Sequence, residues 1–141
     1  MFIGTDYHTI EEKGRVSLPK NFRKFGTDWI ITRGLDGGLF LFLNNTFTAE
    51  LEKLNQLAFT KKAHRDLNRL MANEAQELQV DQSGRLLLPD YLRATARLTK
   101  EVAIVGSYQR IEIWDVEKYH KYVDQLETQA EAIAEHVGDN A

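Results

Sequence analysis

Apolar and polar positions along this chain form one pattern that occurs twice, seventy residues apart. In residues 10–23 and again in residues 80–93, an apolar position leads into a polar turn containing Gly, and an apolar run ending in Pro follows. Five of the fourteen positions are identical, and both prolines of the chain stand at equivalent places. Since about one identity would arise by chance in such a window, we interpret the pattern as an internal duplication.

The pattern predicts the same elements in each half. Gly14 and Gly84 supply the positive φ that a tight turn between two strands requires. Pro19 and Pro89 favour the first position of a short helix, because proline has no N–H to leave unbonded there. Two further apolar runs predict two more strands, so each half has the order β-β-α-β-β with a trailing helix.

The extent of the repeat predicts the domain organisation. The first copy covers residues 8–57, the second covers residues 78–129, and residues 58–77 connect them through a polar helix. Two copies of about fifty residues are too few for a solenoid. We therefore expect residues 1–141 to form a single pseudo-symmetric domain of the α+β class, mainly β, with added helices.

The C-terminal segment carries a heptad pattern that extends to about residue 137. Its apolar positions alternate in steps of three and four residues: Val116, Tyr119, Val123, Leu126, Ala130, Ile133 and Val137. One interpretation is an amphipathic helix that packs on its own domain. The other is a contact between subunits, and the pattern leaves both open.

Charge is distributed unevenly along the chain, whose net charge is −3. Residues 1–111 contain sixteen Lys and Arg against thirteen Asp and Glu, whereas residues 112–141 contain two against eight. The acidity is therefore confined to the C-terminal tail. What matters for a phosphate-rich partner is where the positive charges cluster, so the total charge does not exclude nucleic acid.

Residues that would support catalysis or metal binding are missing or wrongly spaced. The absence of Cys excludes disulfides, a thiol nucleophile and thiolate-bound zinc. The four histidines lack metal-ligand spacing, and no hydrolase or nucleotide-binding motif occurs. We expect a protein that is not an enzyme and has no metal, no cofactor and no small-molecule substrate.

Neither a membrane segment nor a secretory signal is visible in the sequence. No run of eighteen apolar residues occurs, and the N-terminus lacks a basic stretch followed by an apolar one. We expect a cytoplasmic protein without a membrane partner.

The duplicated turn contains the candidate binding chemistry. An acid and an Arg stand four residues apart across it, as Glu11 with Arg15 and as Asp81 with Arg85. Each carboxylate can orient the guanidinium of its own copy, and such an arginine loses less conformational freedom on binding a phosphate or a guanine edge. Because a two-stranded β-ribbon fits the major groove, the two turns are candidates for DNA contact.

Further basic side chains near the turns could contact phosphates. They are Lys13, Lys20, Arg23 and Arg93. The alternative is that each acid–Arg pair is purely structural and only staples its turn, since ion pairs of this kind are common and individually weak. Duplication of a fold also duplicates its staples, so the repeat alone does not decide between the two.

At these residues the chain resembles the MraZ family, whose members consist of two tandem AbrB-like (SpoVT-AbrB, swapped-hairpin) halves. The resemblance covers essentially the whole chain. The matching motifs are Phe2-x-Gly4-x-x-x-His8, Lys13-Gly14-Arg15-x-x-Leu18-Pro19-x-x-Phe22-Arg23, Asp36-Gly37-Gly38-Leu39, Asp81-Gln82-x-Gly84-Arg85-x-Leu87-Leu88-Pro89, Leu92-Arg93, Lys100-Glu101-Val102 and Glu112-Ile113-Trp114.

The resemblance implies a fold and a site. The fold would be a pseudo-two-fold, double-psi-like β-barrel with added helices. The D-x-x-x-R motif of the family would correspond to Asp81 with Arg85 and to Glu11 with Arg15. Glu11 departs from the Asp that the family favours, and its extra methylene changes where the carboxylate lies relative to Arg15.

The resemblance also implies a function. Members regulate transcription of the division and cell-wall gene cluster, which includes their own gene, by binding short direct repeats of double-stranded DNA upstream of it. They assemble into rings of many subunits, so we expect a homo-oligomer, an octamer or larger, that is associated with the nucleoid. The alternative function is an antitoxin-like interaction module that grips a protein partner through the acidic C-terminal tail.

Overall fold

Each half of the chain forms the same series of elements, as the duplicated pattern predicted. The computed structural model describes residues 1–140. The first half contains β1 (Thr5–Thr9), β2 (Arg15–Ser17), α1 (Lys20–Arg23), β3 (Asp28–Arg33), β4 (Leu39–Leu43) and α2 (Asn44–Asn55). The connecting helix is α3 (Lys62–Asn73). The second half contains β5 (Gln76–Gln79), β6 (Arg85–Leu87), α4 (Asp90–Thr95), β7 (Glu101–Ser107), β8 (Arg110–Asp115) and α5 (Val116–Asn140).

The two halves interlock through antiparallel strands. A six-stranded sheet has the order β1-β7-β8-β4-β3-β5, and a separate two-stranded ribbon pairs β2 with β6. The first strand of each half thus pairs with the third strand of the other half, while the second strands pair with each other and the fourth strands meet at the centre of the sheet. This arrangement confirms the α+β class with tandem repeats.

The strands on either side of each turn separate into different sheets. The sequence predicted a strand, a tight turn and a strand, and all three are present. However, β5, which precedes the second turn, pairs with β3 in the six-stranded sheet, whereas β6, which follows that turn, pairs with β2 of the other half. The two-stranded ribbon is therefore built from both halves of the chain, and a ribbon contact would involve both copies of the motif.

Two apolar clusters lie on opposite faces of the six-stranded sheet. The larger one includes the inward side chains of the ribbon, which are almost fully buried: Val16, Leu18, Leu86 and Leu88. The burial of each such side chain stabilises the fold by roughly 1.5–3 kcal/mol. The smaller cluster lies beneath α2 and α3 and consists of Ile30, Phe40, Phe42, Phe47 and Met71. The larger cluster packs the inward face of the ribbon against the six-stranded sheet. The other face of the ribbon points away from the core.

The connecting helix is shorter than the expected segment 58–77. It ends at Asn73, and Gln76–Gln79 form β5 instead. The reason is tertiary: Leu78 lies opposite Trp29 in the ladder and is buried, whereas its strand neighbours are exposed. A strand of four residues with one inward side chain is too short to show a clear period in the sequence.

The C-terminal helix α5 is associated with the domain only through its beginning. It contacts β7 and β8, and Tyr119 and Tyr122 pack against Trp114 with ring centroids 5.9 and 5.2 Å away. All residues from 124 to 140 are exposed. Within residues 1–140, no helix is long and apolar enough to cross a membrane.

Candidate nucleic-acid interface

The ribbon of β2 and β6 joins the two turns of the duplicated motif. The backbone N–H of Leu18 donates to the carbonyl of Gly84, and that of Leu88 donates to the carbonyl of Gly14, both at 2.9 Å. Each turn is therefore fixed to the strand that follows the other turn. The sequence could not show this exchange, because it depends on how the halves pair.

Arg15 and Arg85 lie on the outward face of this ribbon. Arg15 is opposite Leu87 and Arg85 is opposite Ser17, so the two arginines are diagonal neighbours on one face. Diagonal neighbours in an antiparallel pair are about 7–8 Å apart. The fold thus brings the two predicted binding arginines, seventy residues apart in sequence, into one basic patch.

Asp81 organises the second turn. Its Oδ1 accepts hydrogen bonds from the backbone N–H of Ser83 at 2.8 Å and of Arg85 at 2.9 Å, and its Oδ2 lies 3.2 Å from Nε of Arg85. The bond from the backbone N–H of Arg85, with that from Ser83 and the guanidinium charge, lowers the pKa of Asp81 below its ordinary value. Gly84 has a φ of +79°. The carboxylate therefore stays ionised and holds both the turn and the arginine.

Glu11 behaves differently in the first turn. Its Oε2 lies 3.5 Å from Nη1 of Arg85, in the other half. We expected Glu11 to orient Arg15, and the structure places its carboxylate on Arg85 instead. Within residues 1–140, Arg15 makes no ion pair. The extra methylene gives the Glu11 side chain the reach to pass beyond its own turn.

The backbone of the first turn also differs from that of the second. Lys13 has a φ of +64° and precedes Gly14 at +83°, whereas Gly84 alone is left-handed in the second turn. Glu11 makes no side-chain hydrogen bond to the backbone that follows it. Lys13 is exposed at this turn, and Lys20 is exposed at the start of α1. Both stand within three residues of β2 in the sequence.

Arg23 and Arg93 cover the turns from the other half of the chain. A Cβ at Gly84 would overlap the guanidinium of Arg23, and a Cβ at Gly14 would lie 2.8 Å from Cζ of Arg93. Both arginines are half-buried, and their Nε atoms lie buried without a hydrogen-bond partner in the described part of the chain. Arg93 also forms an ion pair with Asp90. These side chains close the turns, which makes them less available to phosphates than Lys13 and Lys20.

Sequence reasoning missed the closing role of Arg23 and Arg93. The signal was present, since both occupy the same position after the Pro in each copy, but only the exchange between halves explains it. Leu87 was also missed: it lies on the outward face of the ribbon opposite Arg15, and 48% of it is exposed. It offers an apolar contact beside the arginines. Across residues 1–140, no group of three or more His, Asp and Glu side chains is placed to hold a metal ion.

The halves of this chain each match the same family model. That model is described as "MraZ protein, putative antitoxin-like", and it matches residues 1–70 and again residues 71–140. A relative from Natranaerobius thermophilus is 41% identical over 99% of this chain and 98% of its own length. Relatives from Finegoldia magna and Moorella thermoacetica are 39% and 40% identical, and each match again spans 99% of this chain and 98% of the relative. All three are named "Transcriptional regulator MraZ".

The family model covers nearly the whole chain, and full-length relatives are identical to it at about two residues in five. The chain therefore belongs to the MraZ family, a family of transcriptional regulators and not of enzymes.

Proposed function

We propose that this chain is a sequence-specific, DNA-binding regulator of transcription. It binds short direct repeats in double-stranded DNA upstream of the division and cell-wall gene cluster, its own gene included. The observation that carries this proposal is the basic patch on the ribbon, where Arg15 and Arg85 share one outward face.

The chemistry of the patch suits a DNA groove. A guanidinium can donate two parallel hydrogen bonds to O6 and N7 of guanine, and a two-stranded ribbon fits the major groove. Arg15 has no competing carboxylate among the ion pairs of residues 1–140, so it is the arginine that meets a base or phosphate first. Lys13 and Lys20 contact the phosphates on either side, while Arg23 and Arg93 hold the turns that aim the ribbon.

The finer features of the fold and assembly belong to the same proposal. The ribbon and the six-stranded sheet share one apolar core, which supports a closed, pseudo-two-fold double-psi-like β-barrel. Several copies assemble into a homo-oligomeric ring, an octamer or larger. A ring that presents one ribbon after another would bind spaced repeats multivalently, and it would act in the cytoplasm at the nucleoid.

The decisive experiment is a fluorescence-anisotropy titration with duplex DNA from upstream of the gene that encodes this chain. Wild type and Arg15→Ala are compared at several salt concentrations, with scrambled duplex as the DNA control. Lys121→Ala, which removes one exposed positive charge from α5, is the matched protein control. We expect sequence-dependent binding with a steep salt dependence that Arg15→Ala weakens and Lys121→Ala preserves. Weak binding that ignores both sequence and Arg15 would refute the proposal.

The exposed, acidic end of α5 favours one other candidate function. An antitoxin-like module would use this end to grip a protein partner, and residues 124–140 carry five Asp or Glu and no Lys or Arg. A pull-down with the full chain would recover a different protein in stoichiometric amount, and substitution of the acids would release it. If every co-purifying protein stays bound to the substituted chain, this second function is excluded.

A further inference from the structure

The outward face of the β2–β6 ribbon carries four side chains. Arg15 lies opposite Leu87 and Ser17 lies opposite Arg85, whereas the pair between them points into the core. The two arginines are the side chains of the proposed DNA contact. Ser17 and Leu87 lie directly beside them on the same face, so a double helix that meets the arginines also meets these two side chains.

The internal duplication gives this face an approximate two-fold axis. The axis passes between the two middle residues of the ribbon, and a half-turn about it exchanges the strands. Arg15 then takes the place of Arg85, and Ser17 takes the place of Leu87. The arginines obey the symmetry, but a hydroxyl on one side corresponds to an apolar side chain on the other. The face is therefore symmetric in its guanidinium groups and asymmetric in the side chains between them.

The symmetry of a DNA-binding surface determines the symmetry of the site that it recognises. A two-fold symmetric protein surface matches a palindromic site, because both have the same axis. A ribbon with identical outward side chains on its two strands would fit such a site in either of two equivalent orientations. Because Ser17 and Leu87 differ, the two ends of this contact differ in chemistry, and a single ribbon has a direction on the duplex.

Leu87 has the chemistry to recognise one particular base. It is 48% exposed, and a single exposed leucine is ordinary on a protein surface. This leucine, however, lies on the face that would enter the major groove, directly opposite Arg15. The C5-methyl group of thymine is the apolar group that base edges present in that groove, and apolar side chains contact it there.

Ser17 offers a less selective contact at the symmetry-related position. Its hydroxyl can donate or accept a hydrogen bond, so it matches several base edges in the groove. Ser17 is also half-buried and shorter, whereas Leu87 is exposed. Only the Leu87 side of the face therefore favours one base over the others.

We propose that Leu87 is a specificity-determining residue that contacts the C5-methyl group of a thymine next to the base bound by Arg15. Side chains directly opposite each other in a ribbon have Cβ atoms about 4.5–5.5 Å apart, and successive base pairs are about 3.4 Å apart. The two contacts therefore fall on the same or adjacent base pairs. This inference rests on the proposed function and states what the ribbon recognises: a non-palindromic site with the selected thymine at one end only.

The experiment removes one methyl group at a time from the DNA. Each thymine of a single-repeat duplex from upstream of the gene that encodes this chain is replaced in turn by deoxyuridine, which lacks only the C5-methyl group. The affinity of the full chain is measured by fluorescence anisotropy. Wild type should lose about fourfold at one position, the effect of burying one methyl group, and little at the others.

Variants of the protein connect that loss to Leu87. Leu87→Ser should bind the unmodified duplex about fourfold more weakly and show no further loss at the sensitive deoxyuridine. Leu87→Met keeps an apolar side chain of similar volume and should keep the sensitivity. Leu35→Ser is the matched control, because Leu35 is also 48% exposed but lines the cavity beside α2 and α3. It should behave as wild type does.

Exchanging the two asymmetric side chains tests the direction of the ribbon. Ser17→Leu/Leu87→Ser moves the apolar side chain to the symmetry-related position and leaves both arginines in place. The ribbon should bind the same duplex after a half-turn, with affinity restored relative to Leu87→Ser, because phosphate contacts carry no sequence information to oppose the rotation. Since the chain has no Cys, Ser83→Cys can carry an iron chelate that cleaves nearby DNA. Cleavage should move to the other side of the thymine.

Failure of this inference is distinguishable from failure of the proposed function. The inference is overturned if wild type prefers the repeat to scrambled duplex and depends on Arg15, yet tolerates every deoxyuridine as well as Leu87→Ser does. It is also overturned if Leu87→Ser weakens binding to repeat and scrambled duplex equally, or if the exchange leaves the cleavage on the same side. If wild type shows no preference for the repeat, the proposed function and this inference fail together.

Discussion

The two turns of the duplicated motif share a left-handed Gly and a hydrogen bond to the opposite half, but they differ in their electrostatics. Gly14 and Gly84 have φ values of +83° and +79°, and each turn is fixed by a hydrogen bond from the opposite half. Yet Arg85 lies between two carboxylates, those of Asp81 and Glu11, at 3.2 and 3.5 Å. Arg15 has neither.

The acids of the two turns differ by one methylene, and the first turn also has Lys13 at positive φ. The short side chain of Asp81 can bond only to its own turn, where it accepts two backbone N–H groups and holds Arg85. The longer side chain of Glu11 leaves its turn and reaches the other half. The two halves therefore share their hydrogen bonds across the ribbon but differ at the arginines: Arg85 forms ion pairs with Asp81 and Glu11, whereas Arg15 makes none within residues 1–140.

Substitution of the turn glycines should have the largest effect. Gly84→Ala must place a Cβ at positive φ and displace the guanidinium of Arg23, so we expect a loss of about 2–3 kcal/mol in the free energy of unfolding. Gly14→Ala should lose less, because Arg93 lies farther from the added atom. Urea unfolding monitored by circular dichroism measures both.

Gly138 supplies the matched control for this pair. It lies in α5, and a Cβ there would meet no atom within 4 Å. Gly138→Ala should be neutral or slightly stabilising, since Ala favours helix over Gly. If Gly84→Ala and Gly14→Ala lose the same free energy of unfolding, the overlap with Arg23 does not contribute to the loss and the positive φ alone explains it.

The arginines themselves should differ in DNA affinity. Arg15→Ala removes the unneutralised guanidinium, and we expect a loss of about 2 kcal/mol, roughly 30-fold in Kd. Arg85→Ala should weaken binding less, because wild-type Arg85 must first separate from Glu11 and Asp81. Anisotropy titrations on one duplex at one salt concentration give both values. A larger loss for Arg85→Ala would reverse the order and make the pinned arginine the principal contact.

Shortening the acid of the first turn should move its ion pair from Arg85 to Arg15. Glu11→Asp shortens the side chain, so we expect it to cap its own turn, contact Arg15 and release Arg85. The affinity lost in Arg15→Ala should then become smaller and that lost in Arg85→Ala larger, each by about threefold, because an exposed pair contributes less than about 1 kcal/mol. If Glu11→Asp leaves the ranking of the two arginines unchanged, the carboxylates do not control it.

Local features of the motif were predictable from sequence, and contacts between the halves were not. The positive φ of Gly14 and Gly84, the helices after Pro19 and Pro89, and the contact of Asp81 with its arginine all depend on residues within a few positions of one another. By contrast, the contact of Glu11 with Arg85 depends on the pairing of β2 with β6. No periodicity within one half encodes that pairing.

The heptad pattern of α5 likewise predicted a local feature but not the contacts that depend on the whole fold. Its heptad pattern correctly indicated an apolar stripe, and Val123 is half-buried against the domain while Leu126 is exposed. Packing on the domain is therefore confirmed for the beginning of the helix, and the contact between subunits stays a prediction for the rest. A pattern of apolar positions identifies the apolar face of a helix. How much of that face the domain covers depends on where the helix extends past the sheet, which is set by the whole fold.

The smallest effect concerns the charge of Asp81 alone. Because its folded pKa is lowered, chiefly by the hydrogen bond from the backbone N–H of Arg85, ionised Asp81 stabilises the fold above its unfolded pKa of about 3.9. That contribution is lost as the pH falls through the lower folded value. Asp81→Asn keeps the acceptor oxygen for Ser83 and Arg85 but removes the charge. Wild type should therefore be the more stable at pH 7, with the difference narrowing below about pH 4 in urea unfolding across pH. A difference that stays constant from pH 7 to pH 3 would mean that Asp81 acts only as a neutral cap, and the contrast between the two turns would then reduce to hydrogen bonding.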